Sequence, residues 1–246
     1  MGCARLDLPA IERSLRAVQR DFSRINALLQ VHRDTLDDSV VTRMMAGYEL
    51  VDRTLAERVD LFDYGNSHLL LELNTRVLCA NNEQERRAFL PHVRATEVKF
   101  YGEHGAGFGA ISEWYQAHRN ESPWQRAAGV YVRGLSEPQL FIEGNHRTGA
   151  LIMSHILARS GRPPFVLSVD NAVEYFDPSS VIKATRKSTF ALLFQLPKIK
   201  RRFAKFLEAK SDPGYLVGGK AAPKSEKAKK KPGANAKAAR MQQPAG

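Results

Sequence analysis

Apolar residues recur every three or four positions through most of the chain, and that spacing predicts helices. Ile11, Leu15, Val18, Phe22, Ile25 and Leu29 mark one amphipathic helix. The same pattern predicts helices over 40–59 and 69–78, the second capped by Asn66-Ser67. Residues 83–101 also read as helical, with Pro91 starting a new helix or kinking the old one. Four glycines in the eight residues 102–109 then break the pattern, which predicts a flexible loop. A helix over 110–119 follows, carrying Ile111, Trp114 and Tyr115 on its apolar side. Ser122-Pro123 reads as an N-cap with proline at the first helical position, opening a helix over 124–134. A further apolar helix runs through Leu151, Ile152, Ile156 and Leu157 and is stopped by Gly161 and Pro163-Pro164. Phe165-Val166-Leu167 suggests a short extended piece, and 189–196 another helix. Strand signals are sparse, so the predicted class is mainly α, a helical bundle with at most a small β-hairpin.

Composition narrows the picture little but charge changes it. The 246 residues, 43% of them hydrophobic, suffice for one sizeable core. The only cysteines are Cys3 and Cys79, which excludes a disulfide framework or a multi-cysteine metal site and points to a reducing, cytoplasmic compartment. Residues 1–10 lack the apolar run of a secretory leader, and no stretch is apolar for long enough to span a membrane. The formal charge of +11 is unevenly placed: 183–210 carries +8 and 220–246 carries +7, which leaves the remainder at −4. The basic character therefore belongs to the C-terminal part. From Gly218 onward the chain is rich in Lys, Ala, Gly and Pro, a composition that predicts disorder because it offers almost nothing to bury.

The candidate chemistry lies in Phe141-Ile142-Glu143-Gly144-Asn145-His146-Arg147-Thr148-Gly149. A Gly-Asn pair just before an apolar helix leaves unpaired backbone N–H groups at a helix N-terminus, where the dipole also favours a phosphate. Gly144 permits positive φ or close approach, and Asn145 tolerates left-handed conformations. Arg147 offers a fork of donors suited to phosphate oxygens. Glu143 supplies the hard oxygen ligand through which Mg²⁺ is held beside phosphates. An ordinary loop-to-helix junction would need only the glycine and a capping asparagine.

The run Phe-x-Glu-Gly-Asn-x-Arg-x-Gly resembles the signature of the Fic (Fido/Doc) proteins, His-Pro-Phe-x-Asp/Glu-Gly-Asn-Gly-Arg-x-x-Arg, in a degenerate form. The resemblance covers about residues 65–197. The resemblance implies a Fic-like domain at 65–197, and the spacing and composition around it add an N-terminal helical segment at 1–64 packed on the body, a basic helix at 198–217 and a Lys/Ala-rich tail at 218–246. It further implies a helical domain that uses ATP and Mg²⁺, with Glu143 as metal ligand and Gly144, Asn145, His146 and Arg147 around the phosphates. Members mostly transfer AMP, or another phosphate-containing group, to a hydroxyl of a target protein.

This chain departs from the family at the positions that carry the chemistry. The family's histidine, the general base, is replaced by Gln139, whose amide has no pKa near neutrality. Leu140 stands for its proline and Ala150 for its last arginine. His146 occupies the place of a loop glycine and is the nearest imidazole that could act as base, and Glu137 is an upstream carboxylate. Family members also carry a target-docking flap, for which 102–109, with His104, is a candidate. The inhibitory Ser/Thr-x-x-x-Glu-Gly/Asn motif has no clean match, Leu71-Glu72-Leu73-Asn74 being nearest.

Lys198–Lys210 mixes basic and aromatic residues at helical spacing. The pattern suits a terminal helix that lays Ile199, Phe203 and Phe206 on the body, or a contact with nucleic acid or an acidic membrane. Lys220–Arg240 would attract polyanions without specificity. Three functions remain open on the residues alone: a divergent transferase, an inactive nucleotide- or partner-binding regulator, and a basic-tailed adaptor on nucleic acid.

Overall fold

The computed structural model describes residues 4–102, 107–188 and 190–218. Three of the local signals act as the spacing predicts. Ser122 caps helix α8 (Pro123–Leu135) with a reciprocal capping box to Gln125, an arrangement worth about 1 kcal/mol. Helix α9 (Asn145–Arg159) starts at Gly144 and ends before Gly161, whose φ is 69°. Pro91 falls in the first turn of α6 (Leu90–Phe100), just after the short α5 (Glu83–Ala88), so it opens a new helix and kinks nothing.

The fold is a mainly α bundle built around α9, which buries most of its length. Helix α8 packs along it on one side, and α3 (Asp38–Ala56) and α4 (Ser67–Cys79) on the others. Helix α7 (Phe108–Ala117) covers α8, where Trp114 lies against Gly129; a Cβ at Gly129 would stand 1.9 Å from that ring. The C-terminal α11 (Leu196–Ala209) packs on the outer side of α8, with Phe203 stacked on Tyr131 at 5.0 Å between centroids. One hydrophobic core runs from Leu6 to Leu207, so residues 4–64 and α11 belong to the same body as the central helices. The two ends of that body are tied together: Asp7 N donates to the Tyr215 carbonyl at 2.9 Å and Val217 N to that of Arg5 at 2.9 Å.

Four elements differ from the sequence expectation. The first amphipathic stripe is two helices, α1 (Leu8–Arg20) and α2 (Phe22–Asn26), because the chain turns at Asp21 while the apolar positions on both sides stay buried. Phe165–Leu167 is irregular, its carbonyls taken by Tyr48, Ser154, Asn171 and Ser14 side chains in place of a strand partner. The predicted helix over 189–196 is present across its described residues, 190–196, but takes the π form over Ala191–Gln195 and runs directly into α11. Helix α10 (Ala172–Ala184), which encloses Pro178, has no counterpart in the sequence prediction. Among the described residues there is no strand, only isolated bridges at Leu6–Leu216 and Glu137–Arg186. The tip of the candidate flap, 103–106 with His104, lies outside the described residues, as do 219–246, with the basic stretch Lys220–Arg240 expected to be disordered and to attract polyanions. Among the described residues no helix is long and apolar enough to cross a membrane.

Candidate functional site

The loop that joins α8 to α9 is fixed from within and from two neighbouring helices. Leu140 N donates to the Gly134 carbonyl at 2.9 Å, returning the chain to the end of α8. Phe141 is buried and stacks on Phe100 of α6 at 5.6 Å. The buried Asn145 amide closes the loop, accepting from Phe141 N at 2.9 Å and donating to the Phe141 carbonyl at 2.9 Å. From α4, Asn74 donates to the Glu143 carbonyl at 2.9 Å and to Thr148 Oγ1 at 3.0 Å. Gly144 has φ 74°, and a Cβ there would meet Asn74 Nδ2 at 3.0 Å and Val77 Cγ2 at 3.1 Å. Two independent reasons thus call for glycine: the left-handed backbone and the closeness of α4.

This loop delivers an open helix N-terminus. Gly144 contributes no side-chain cap, and Thr148 N is the first amide to find a helical acceptor, the Gly144 carbonyl at 2.9 Å. The backbone N–H groups of Asn145, His146 and Arg147 have no acceptor among the described residues. They border an open cleft of about 210 Å³ lined by Gln139, Ile142, Glu143, Gly144, Asn145, His146, Arg147 and Lys183. Gln139 and Glu143–Arg147 therefore meet at one cleft, which Glu137, Ala150 and Glu72 do not line. Glu143 is exposed, and its carboxylate has no ion-pair partner among the described residues. Arg147 is held on one side, Nη1 donating to the Val77 carbonyl at 2.5 Å, and burial lowers its pKa. It thereby pins the first turn of α9 to the last turn of α4. Lys183, from the last turn of α10, is the cleft residue that sequence reasoning missed.

Gln139, at the position of the family's base, and His146, the candidate imidazole, are both engaged within the protein. Gln139 Oε1 accepts from Asn145 Nδ2 at 3.2 Å, and its Nε2 donates to the Leu135 carbonyl at 3.2 Å, so the amide braces the loop. His146 Nε2 faces Arg33 Nη1 at 3.5 Å and its Nδ1 faces Tyr131 Oη at 3.2 Å. A guanidinium only donates, so Nε2 accepts and Nδ1 carries the proton. The chain of donors continues from Tyr131 Oη to Tyr175 Oη at 3.0 Å and from there to the His146 carbonyl at 3.1 Å. Burial, then the charges of Arg33 and Lys183, push the His146 pKa down to about 3. The imidazole is neutral, poorly basic and held at both nitrogens in a part-buried circuit. Glu137 is exposed outside the cleft, its backbone bridging to 185–187 through Thr185 O and Lys187 N. Ala150 lies in the core, and Glu72 of the Leu71–Asn74 segment pairs with Arg76 and Arg86.

Compared with models of protein families, with curated proteins and with solved structures, the chain matches none.

Buried His155 and half-buried His146 set an acid limit. His155, with Nε2 at 3.1 Å from the Val59 carbonyl, is pushed down to about 4, chiefly by burial. Both histidines bind protons less readily folded than unfolded, where 6.5 is the ordinary value. Their contribution is therefore complete above about pH 6.5 and is lost as pH falls toward 4 and 3, on the order of a few kcal/mol in total. Urea midpoints measured from pH 7.5 to pH 4.5, approximate settings that bracket the ordinary imidazole pKa, should fall steadily. His155→Gln should flatten that slope. A slope unchanged in the variant would remove His155 from the account.

Proposed function

We propose that the chain is a Fic-like nucleotide-binding module, holding a nucleotide by its phosphates at the first turn of α9 and acting as a regulator without group transfer. The observation that carries this reading is the set of three unpaired amides at Asn145, His146 and Arg147, opening into a cleft with Lys183 beside them. Oriented N–H groups at the positive end of a helix, with a cation nearby, are complementary to phosphate oxygens. Arg33 adds a second cation near this turn, its Nη1 facing His146 Nε2 at 3.5 Å. ATP with Mg²⁺ is the ligand that the resemblance implies. Among the described residues no cluster of three or more acids, histidines or cysteines could cage a metal ion. Glu143 alone fits Mg²⁺ as a single carboxylate, with nucleotide phosphates and water completing the shell. That ion would neutralise phosphate charge, while the protein's own groups position the nucleotide. A reducing cytoplasmic compartment fits the buried, unpaired thiol of Cys79.

Among the described residues of the cleft, the engagement of Gln139 and His146 favours binding over chemistry. Gln139 and His146 both have their polar atoms engaged within the protein. One observation favours transfer of AMP or another phosphate-containing group to a protein hydroxyl. Lys187 Nζ lies 2.5 Å from the Pro138 carbonyl, next to Gln139, and burial lowers its pKa to about 8. An amine with that pKa is partly neutral near pH 7 and can accept a proton.

The two readings separate in one experiment. The full chain is incubated with Mg²⁺, cell lysate and ATP labelled at the α or γ phosphate, and binding is followed by calorimetry. The expected result is MgATP binding, weakened about tenfold by Lys183→Ala, the scale of one charged contact, with no label on any protein. Label transfer that Glu143→Ala abolishes would establish a transferase, and absence of binding would remove the phosphate site.

A further inference from the structure

The outer side of the C-terminal helix carries two features that nothing in the body answers. Phe190, Leu193 and Phe194 are 62%, 63% and 62% exposed, on or beside the π-helical turn that leads into α11. The two phenyl rings touch each other at 5.3 Å between centroids, standing out from the body as a pair. Beyond them Lys198, Arg201, Arg202 and Lys205 are exposed and have no ion-pair partner among the described residues. Their neighbours on the same helix differ: Lys200 is paired with Glu121 at 2.6 Å and Lys210 with Glu174 at 2.7 Å.

Five of these residues form one stripe, with Leu193 and Arg202 flanking it. Positions 190, 194, 198, 201 and 205 recur every three or four residues, and Leu196, Phe203 and Leu207 on the opposite side are buried against the bundle. The stripe is apolar at its N-terminal end and cationic for the rest, with Glu208 as the single exposed acid at its far end. We infer that this face of α11 docks on an anionic phospholipid surface, with Phe190, Leu193 and Phe194 entering the headgroup boundary and the four cations meeting lipid phosphates.

Complementarity decides between partners. A nucleic-acid backbone would satisfy the cations but leave Leu193 and the phenylalanine pair in water. Bases stack on aromatic rings, yet an aliphatic Leu193 adds nothing there. A bilayer interface takes both halves, since apolar side chains enter the acyl boundary while Lys and Arg are drawn to anionic headgroups at about 1 kcal/mol each. Docking of this kind needs no membrane-spanning helix.

The full chain is floated with vesicles of phosphatidylcholine alone, or of equal parts phosphatidylcholine and phosphatidylserine. Binding is expected only with phosphatidylserine and should weaken with added salt. Phe190→Ser with Phe194→Ser should lower it about tenfold or more, and so should Lys198→Gln, Arg201→Gln, Arg202→Gln and Lys205→Gln together. All six positions are exposed, so the helical circular dichroism should not change. No binding to anionic vesicles overturns the proposal. Binding that the phenylalanine pair leaves unchanged also overturns it, since the lysines of 220–246 would then explain it. If a labelled oligonucleotide is retained and vesicles are not, the surface belongs to nucleic acid.

Discussion

Gly144→Val is expected to abolish nucleotide binding and to lower the thermal midpoint of the whole protein. With φ at 74° the backbone is left-handed, costing an ordinary side chain about 1–2 kcal/mol, and more for a branched Cβ. The new methyls would also stand against Asn74 and Val77 of α4, whose nearest atoms are 3.0 and 3.1 Å from the Cβ position. Asn74 cannot yield without releasing the Glu143 carbonyl and Thr148 Oγ1, the bonds that orient the first turn of α9. Strain and site loss are therefore coupled, and the total cost should reach about 3–4 kcal/mol. Thermal unfolding measured beside MgATP calorimetry checks both. A variant that stays stable and binds nucleotide would show that the loop geometry is not what forms the site.

The largest purely structural effect is expected at Gly129→Ala. Its Cβ would fall 1.9 Å from the tip of the Trp114 ring and 2.7 Å from two further ring atoms. The indole is held on several sides. His118 stacks on it at 4.2 Å, and Arg133 and Lys200 lie over it at 5.1 and 5.3 Å. Relief requires α7 to move away from α8, and overpacking of this kind costs about 1–3 kcal/mol or more. Urea unfolding should show the loss, and Trp114→Leu in the same chain should recover much of it by making room. Because the contact is remote from the α9 cleft, MgATP affinity of the folded variant should be unchanged. Failure of Trp114→Leu to rescue would mean that the clash lies elsewhere.

What the sequence made legible follows from which interactions are local. The capping box at Ser122, the proline start of α6 and the glycine before α9 are encoded within a few residues, and the structure places each at the helix boundary it predicts. The candidate site was legible for the same reason, since Gln139 and Glu143–Arg147 belong to one short loop-to-helix run and meet at one cleft. Helix α10 was not, because Pro178 lies inside it and its buried face mixes Ala172, Tyr175, Ser179 and Ile182, two of them small. Missing that helix meant missing Lys183. Arg33 and Tyr131 were invisible as partners of His146 because they come from 113 and 15 residues away. The imidazole's isolation is a tertiary property. A histidine in an anion loop reads as a candidate base until its two nitrogens are placed.

A bound phosphate is expected to sit on the unpaired amides at the start of α9. Titrating MgATP into the isotopically labelled protein, and following the backbone amides by NMR, tests it at the atoms concerned. The amides of Asn145, His146 and Arg147 should shift together and saturate with one affinity, and inorganic phosphate should move the same three more weakly. Saturable binding that leaves those three amides unmoved, or no shift at any amide, would contradict it.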